Sequence, residues 1–187
     1  MILFGLAALS LISVPLTGGK LGRLSKLQLR WLWTAPLALA LQVVITVIVP
    51  DGHHALHSAV HVLTYALLVA FLWANIRTAG VRVIATGAAL NLIAIMVNKG
   101  VMPASRTAER IAGEVQSAGY HNATPLAHAH LTWLGDQIPV PGPLPNVLSI
   151  GDCIIFVGML VLLHRTCGRA AAARELALEQ RELALEQ

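Results

Sequence analysis

The chain has 187 residues, of which 56% are apolar and 12% are charged, and its mean hydropathy is +0.70. A soluble domain of this length cannot bury so much apolar side chain, so the composition excludes an ordinary water-soluble globule and predicts an integral membrane protein. The formal net charge of +4 does not indicate nucleic-acid binding, because basic residues also serve as membrane topology signals and as contacts to anionic lipid.

Five apolar runs follow one another along the chain, each near the roughly 17 to 25 residues that cross a bilayer as an α-helix. They cover residues 2–16, 31–49, 56–74, 81–97 and 147–164. No Lys or Arg precedes the first run, which favours a retained helix over a secretory signal. The sequence therefore predicts an all-α, polytopic bundle of five transmembrane helices in a membrane domain that covers residues 1–166.

The basic residues predict the orientation of this bundle, since Lys and Arg near helix ends stay on the cytoplasmic side. Ten of the 13 basic residues fall in the loops at 20–30 and 77–82 and in the tail after residue 164. We therefore expect the amino terminus outside, the carboxyl terminus in the cytoplasm, and a long loop at 98–146 on the outer face. The tail at 167–187 ends in two copies of RELALEQ and is expected to continue the fifth helix as a solvated helix.

Polar side chains inside the apolar runs are few, and each would cost free energy against lipid. Gln42, Asn75 and Asn91 are therefore expected to face neighbouring segments and to hydrogen-bond there. Small residues at 85 and 87–89 permit close helix approach, which places the fourth helix at the centre of the bundle.

Histidines gather on the half of the bundle that is predicted to lie outside. His54, His57 and His61 are spaced three and four residues apart, so they share one helix face. Imidazoles on such a face can ligate zinc, copper, iron or nickel, or supply an axial ligand to haem. His57 and His61 are the candidate metal ligands. The alternative is that these side chains only occupy the membrane interface, where an apolar body with a polar tip is tolerated.

The loop at 98–146 divides into two parts. Ser105 is a candidate N-cap and Gly119 a candidate stop for a short amphipathic helix that lies on the bundle or on the membrane surface. From residue 121 to residue 146 prolines recur, which disfavours helix and predicts a stiff, extended return to the membrane.

A polar motif opens this loop. It reads Asn98-x-Gly-x-Met-Pro103 and directly follows the fourth apolar run. Asn98 is expected to cap helix carbonyls, and Gly100 to adopt a positive φ. Met102 and Pro103 are expected to set an extended exit from the helix, so the motif predicts a structural turn.

A second motif closes the loop and reads Pro145-Asn-Val-x-Ser-Ile-Gly-Asp152. Asn146 is placed to cap the fifth helix. If that helix begins later, Ser149 or Asp152 lies at its amino end, where the helix dipole favours an acceptor or a negative charge. An alternative hypothesis is that Asp136, Asp152 and an outer histidine converge for acid-base chemistry on a lipid or isoprenoid headgroup.

Together with Leu134-Gly-Asp-x-Ile-Pro139 between them, these motifs resemble those of a bacterial family of small multi-pass membrane proteins known only as a domain of unknown function. The resemblance covers about residues 1–166, and that family has a second glycine where Lys99 stands. It implies a five-helix protein of the bacterial inner membrane. It implies no activity and no cofactor.

Three classes of function remain open. We favour a non-enzymatic accessory subunit or scaffold in the bilayer that presents its outer loop to a membrane protein partner. The alternatives are a metal- or haem-binding protein that uses His57 and His61, and a membrane enzyme that uses Asp136 and Asp152. The candidate binding residues are Asn98, Gly100, Met102, Pro103, Asp136, Asn146, Ser149 and Asp152.

Overall fold

The computed structural model describes residues 2–45, 54–113, 123–124, 129–142 and 145–185. Its helices are α1 (Ile2–Leu16), α2 (Thr34–Val43), α3 (His54–Ala74), α4 (Val81–Val97), α5 (Arg106–Ala112), α6 (Ile150–Cys167) and α7 (Arg169–Leu185). Short 3-10 helices cover Leu21–Lys26 and Thr132–Leu134. Four strands lie between α4 and α6, namely β1 (Met102–Pro103), β2 (Ala123–Thr124), β3 (Asp136–Val140) and β4 (Asn146–Ser149).

The expected all-α bundle of five transmembrane helices is wrong. The strands form two small sheets, in which β1 runs parallel to β2 and β3 runs antiparallel to β4. Within the described residues, one helix, α6, is long and apolar enough to cross a membrane. Apolar composition indicates how much side chain avoids water. The length of a helix depends instead on where the chain turns.

The second apolar run illustrates the difference. A transmembrane helix was expected over residues 31–49, but α2 begins at Thr34 and is 10 residues long. Trp31 has a φ of 55°, which an α-helix cannot contain, and its carbonyl accepts hydrogen bonds from the backbone and side chain of Thr34 at 2.9 and 2.8 Å. The first residues of this run therefore form a turn. Residues 46–49 lie outside the described ranges.

The helices pack with α4 at the centre, as the small residues of this helix predicted. α4 lies between α3 and α6, while α2 packs on α3 and α1 packs on α6. α4 and α6 approach closely because glycines face the contact. A Cβ on Gly87 would lie 2.5 Å from the carbonyl oxygen of Gly151, and a Cβ on Gly158 would lie 2.6 Å from the nitrogen of Ile84. These contacts also show that α4 and α6 are antiparallel.

The carboxyl ends of α1 and α6 meet at one end of the molecule. Val14, Leu163 and Cys167 form a buried apolar cluster there. Ser13 of α1 contacts His164 of α6, with 2.9 Å between Oγ and Nε2. The backbone nitrogen of Lys20 donates to the carbonyl of Cys167 at 2.9 Å. Both cysteines, Cys153 and Cys167, are free.

The segment between α4 and α6 folds into a layer at the other end of the bundle, which we call the cap (the described residues of 102–112 and 130–149). Ser105 is the N-cap of α5, as predicted, and accepts a hydrogen bond from the nitrogen of Ala108 at 3.3 Å. The helix ends at Gly113, with a φ of 79°, and not at Gly119, which lies outside the described residues. Ala108 and Ala112 bury against Val147 of β4.

The extended return predicted from the prolines is confirmed where the structure describes it. β3 contains Pro139 and pairs antiparallel with β4, with Pro139 opposite Val147 and Asp136 opposite Ser149. Strand pairing was not predicted, because prolines in a sequence indicate extended backbone but do not indicate which other segment that backbone pairs with.

The tail is helical, but it does not continue the preceding helix as expected. Gly168 has an extended conformation, with a ψ of 168°, and separates α6 from α7. A Cβ at Gly168 would collide with the carbonyl oxygen of His164. The change of direction after Cys167 therefore depends on the glycine.

Candidate functional site

The amino end of α6 carries a reciprocal pair of hydrogen bonds between a serine and an aspartate. Ser149 Oγ accepts from the backbone nitrogen of Asp152 at 3.0 Å, and the Asp152 carboxylate accepts from the nitrogen of Ser149 at 3.1 Å. This capping box satisfies donors that a helix start leaves open. Of the two expected starts for this helix, the later one is therefore confirmed.

Asn91 of α4 joins this pair across the helix contact. Its Nδ2 donates to Asp152 Oδ1 at 2.9 Å, and its Oδ1 accepts from Ser149 Oγ at 2.9 Å. All three side chains are buried, and Asn91 fits because Gly151 leaves space where a Cβ would collide with its Oδ1. We call Asn91, Ser149 and Asp152 the buried polar cluster. The expectation that Asn91 bonds to a neighbouring segment is confirmed.

Tyr65 of α3 extends the buried polar cluster towards the cap. It hydrogen-bonds to Asn91 and lies close enough to Asp152 and Asp136 for the charge of both carboxylates to act on its hydroxyl. Asp136 reaches this position because β3 places it opposite Ser149, and its carbonyl accepts from the nitrogen of Ser105 at 2.9 Å. Asp136 of β3 and Asp152 of α6 thus lie at the same end of the molecule as Tyr65.

The histidine expected to join these aspartates does not do so among the described residues. The side chain of His130 is exposed, and its backbone is bound by Asn98. A tyrosine, Tyr65, lies near the two aspartates instead. The signal for Tyr65 was present in the sequence, since a polar group inside an apolar run needs a partner.

Asn98 forms a bridge between the end of α4 and the turn at 130–134. Its Nδ2 donates to the carbonyl of His130 at 2.8 Å and to that of Ala94 at 2.7 Å. Its Oδ1 accepts from the nitrogen of His130 at 2.8 Å. The predicted capping of a helix carbonyl is confirmed, and the carboxamide also pairs with both backbone groups of a residue 32 positions away. We call this arrangement the Asn98 bridge.

The rest of the first motif forms the expected turn. Gly100 has a φ of 89° and its nitrogen donates to the carbonyl of Ile95 at 2.8 Å, which closes the helix end. Lys99 also has a positive φ, of 58°, which explains why a glycine is suitable at this position. Met102 and Pro103 are buried in β1, and Pro103 packs against Gly135 so closely that a Cβ there would collide with the proline carbonyl.

Asn146 does not cap α6, contrary to the first of the two expectations for the closing motif. It begins β4, and its Oδ1 accepts from the nitrogen of Val147 at 2.7 Å. The helix starts later because Ser149 offers a hydroxyl and Asp152 a carboxylate at capping-box spacing, whereas Asn146 has no acidic residue three positions on.

His57 and His61, the candidate metal ligands, are carried by α3 one helical turn apart. The structure does not describe their side chains. Among the residues it describes, no group of three or more His, Cys, Asp or Glu side chains is arranged to hold a metal ion. Metal or haem binding by these histidines stays a prediction, for which absorbance and elemental analysis of the purified protein are the tests.

A second bridge, which the sequence only partly indicated, lies at the opposite end of the helices. Asn75, at the end of α3, donates through Nδ2 to the carbonyls of Arg30 at 2.9 Å and Phe71 at 2.8 Å. Its Oδ1 accepts from the nitrogen of Arg30 at 2.7 Å. Asn75 was expected to bond to a neighbour, and this is confirmed. Its partner, a backbone 45 positions away, was not predicted. We call this the Asn75 bridge.

Comparison with known proteins gives a family. Residues 26–164, which are well over half of the chain and include both bridges and the buried polar cluster, match DUF5317, a family of unknown function. No curated protein and no solved structure is significantly similar to the chain.

Proposed function

The chain belongs to DUF5317, and because that family has no known function, we propose one from the geometry of this chain. It is a structural protein of the bacterial inner membrane that holds the cap at one membrane face and presents it to a membrane protein partner. The observation that carries this proposal is the engagement of Asn91, Asn98 and Ser149, whose side chains bond to other parts of the chain and fix the cap on α4 and α6.

The surface of the helices supports a membrane location. Large apolar side chains are exposed on α1, α2, α3, α4 and α6, among them Leu9, Leu39, Leu63, Ile93 and Val157. Water-soluble monomers rarely expose contiguous apolar patches larger than several hundred Å². In α6, 28% of the helix is fully buried inside the protein and most of the remainder is partly buried. Contact with lipid would cover the apolar surface that stays exposed.

The distribution of charge supports the same location. α1, α2 and α3 contain no Asp, Glu, Lys or Arg, and the charged residues of α4 and α6 lie within a turn of a helix end. Basic residues of the segments 20–30, 77–82 and 165–169 share one end of the molecule, since α1 meets α6 there and Gly80 packs against Leu162. We call this the basic end. Retention of Lys and Arg in the cytoplasm puts the cap on the outer face.

A second candidate function rests on the position of Tyr65 beside Asp136 and Asp152. A phenol with two carboxylates nearby is the kind of group that acid-base chemistry on a lipid or isoprenoid headgroup uses. Incubation of the purified protein with a bacterial lipid extract tests it. If lipid is converted, and conversion is lost in Tyr65→Phe and Asp136→Asn, the protein is an enzyme and the structural role is secondary.

Photocrosslinking from the cap tests the proposed function directly. A benzophenone amino acid replaces Ile111 or Trp133, which are 58% and 60% exposed on the cap. After irradiation of intact cells, we expect one defined protein adduct from both positions, recovered with membranes that resist alkaline extraction. Asn98→Ala should weaken that adduct, because the turn at 130–134 loses its attachment.

The matched control is the same probe at Val157, which is 51% exposed in the middle of α6. It should react with lipid and give no defined protein adduct. A cap that yields lipid adducts alone, or the same protein adduct from Val157 as from the cap, would contradict a partner-binding role. Release of the protein by alkaline extraction would contradict the membrane location.

A further inference from the structure

The basic end carries an aromatic surface around Asn75, and we infer that this surface binds anionic phospholipid headgroups. It consists of Trp31, Trp33, Trp73, Arg30 and Arg77, which we call the Asn75 surface. The inference rests on the proposed membrane location and adds to it a choice of lipid and a set of contact residues.

The Asn75 bridge assembles this surface from two distant parts of the chain. By pairing with both backbone groups of Arg30, Asn75 fixes the segment 30–33 beside the last turn of α3. Trp73 lies two positions before the asparagine and Arg77 two positions after it. The bridge therefore brings three exposed indoles and two cations, contributed by both segments, to the same end of the molecule.

The aromatic side chains of this surface point outward although they are the largest apolar groups in the chain. Trp31, Trp33 and Trp73 are 52%, 63% and 74% exposed. Trp31 is held at a φ of 55°, a conformation that is unfavourable for a bulky residue and persists only where the surrounding structure enforces it. The fold thus maintains an unfavourable backbone while presenting indole rings at the end of an apolar helix. Indole rings at that depth are typical of contacts with lipid headgroups.

Charge identifies the headgroup. Arg30 and Arg77 are exposed, and a guanidinium binds phosphate oxygens in a two-pronged geometry. Asp51 is the one acidic residue in the first 108 positions of the sequence, so the segments that build this surface contain no carboxylate. A zwitterionic headgroup places a cation beside its phosphate, whereas an anionic headgroup such as that of phosphatidylglycerol does not.

The turn at the other end of the molecule provides an internal comparison. The Asn98 bridge also presents two exposed apolar residues, Leu131 and Trp133, of which Leu131 has a left-handed backbone conformation. The residue that Asn98 binds is His130, whereas the residue that Asn75 binds is Arg30. In the motif at the end of α4, Lys99 is the one cation. We therefore expect headgroup selection at the Asn75 surface and none at the cap turn.

Quenching of tryptophan fluorescence by brominated lipids tests the inference. The full-length protein, with Trp133→Phe so that only the Asn75 surface emits, is reconstituted into vesicles of phosphatidylcholine and phosphatidylglycerol. In one preparation the phosphatidylglycerol is brominated, and in the other the phosphatidylcholine. We expect quenching that corresponds to about five-fold enrichment of phosphatidylglycerol over its bulk share, falling as salt is raised.

Variants separate this site from general membrane contact. The double variant Arg30→Gln with Arg77→Gln should return quenching to the bulk lipid ratio. Arg30→Lys with Arg77→Lys keeps the charge without the two-pronged geometry, so it should retain part of the enrichment and show that the fold is intact. Lys99→Gln with Arg106→Gln, near the cap, is the matched control and should leave enrichment unchanged. Quenching in proportion to bulk composition, or enrichment that survives the double Gln variant, would overturn the inference and leave the membrane location standing. No quenching by either lipid would overturn the membrane location itself.

Discussion

The two bridging asparagines use the same chemistry at opposite ends of the α3–α4 pair. Asn75 binds Arg30 and Asn98 binds His130, in each case through the backbone nitrogen and the backbone carbonyl. Each also donates to the carbonyl four positions earlier in its own helix. A carboxamide carries the same kinds of donor and acceptor as a peptide group, so it can pair with the backbone of a neighbouring segment as a β-strand would. Helix ends lack partners for their last carbonyls, which makes this use of asparagine effective there.

The partner segments are alike as well. Arg30 is followed by Trp31 and His130 by Leu131, and both second residues have a positive φ, of 55° and 51°. In each turn the carbonyl of that residue then accepts a hydrogen bond from the backbone nitrogen three positions on. The two turns are local solutions to one problem, which is to reverse the chain against a helix end without leaving backbone groups unpaired.

What differs is the surroundings. The Asn75 bridge rests on an apolar cluster that includes Phe71 and Leu72, next to exposed tryptophans and arginines. The Asn98 bridge belongs to the end of the molecule where Asn91, Ser149 and Asp152 form the buried polar cluster. In the proposed function, the first end meets the lipid surface and the second forms the rigid polar layer that is presented to a protein partner.

Removal of either carboxamide gives the largest expected effect on stability. Asn75→Ala and Asn98→Ala each delete three hydrogen bonds and leave backbone groups without partners. We expect each to lower the free energy of unfolding by about 3 kcal/mol. Titration of the detergent-solubilised protein with a denaturing detergent measures this. Losses that differ between the two sites by more than about 1 kcal/mol would mean that the bridges are not equivalent.

The buried polar cluster sharpens the comparison, because it belongs to the Asn98 end of the molecule. Ser149→Ala removes the N-cap of α6 and the hydroxyl that Asn91 accepts from. We expect a loss of about 2 kcal/mol. Ser25→Ala at the basic end is the matched control, since its exposed hydroxyl bonds only to the carbonyl of Gly22, and we expect a change within about 0.5 kcal/mol. An equal loss in both variants would show that the cluster adds nothing special to the cap end.

Backbone strain gives the smallest effect. Lys99, between Asn98 and Gly100, has a φ of 58° and an exposed side chain, so Lys99→Gly relieves strain at little cost in contacts. We expect a gain of about 0.5 kcal/mol, after the flexibility that glycine adds to the unfolded chain. Lys20→Gly is the control, because Lys20 has an ordinary φ of −123°. Stabilisation by both variants, or by neither, would show that the left-handed residue is not a strained part of the bridge turn.

The sequence predicted those features whose causes are local. Ser105 and Ser149 were found as candidate helix starts because a cap depends on residues within three or four positions, and Gly100 was found because a positive φ follows from the residue itself. The partners of Asn75 and Asn98 were not found. They lie 45 and 32 positions away, and nothing in an asparagine indicates which distant backbone it will pair with.

The number of membrane spans was wrong for a related reason. Apolar runs predict which surface avoids water, and this reading underlies the proposed membrane location. They do not predict where a run is interrupted by a turn such as that at Trp31, where Asn75 holds the preceding residue. The convergence of Asp136, Asp152 and a histidine for acid-base chemistry stays a prediction, and the position of Tyr65 near the two aspartates was not predicted, because it depends on the packing of α3.

Hydrogen exchange at two amides tests the central comparison most directly. The amides of Arg30 and His130 are each bound by a bridging carboxamide, so both should exchange slowly in the unmodified protein. We predict that Asn75→Ala accelerates exchange at Arg30 alone and Asn98→Ala accelerates exchange at His130 alone, because the bridges lie at opposite ends of the helices. Acceleration of both amides by either substitution, or of neither by its own, would contradict two independent bridges.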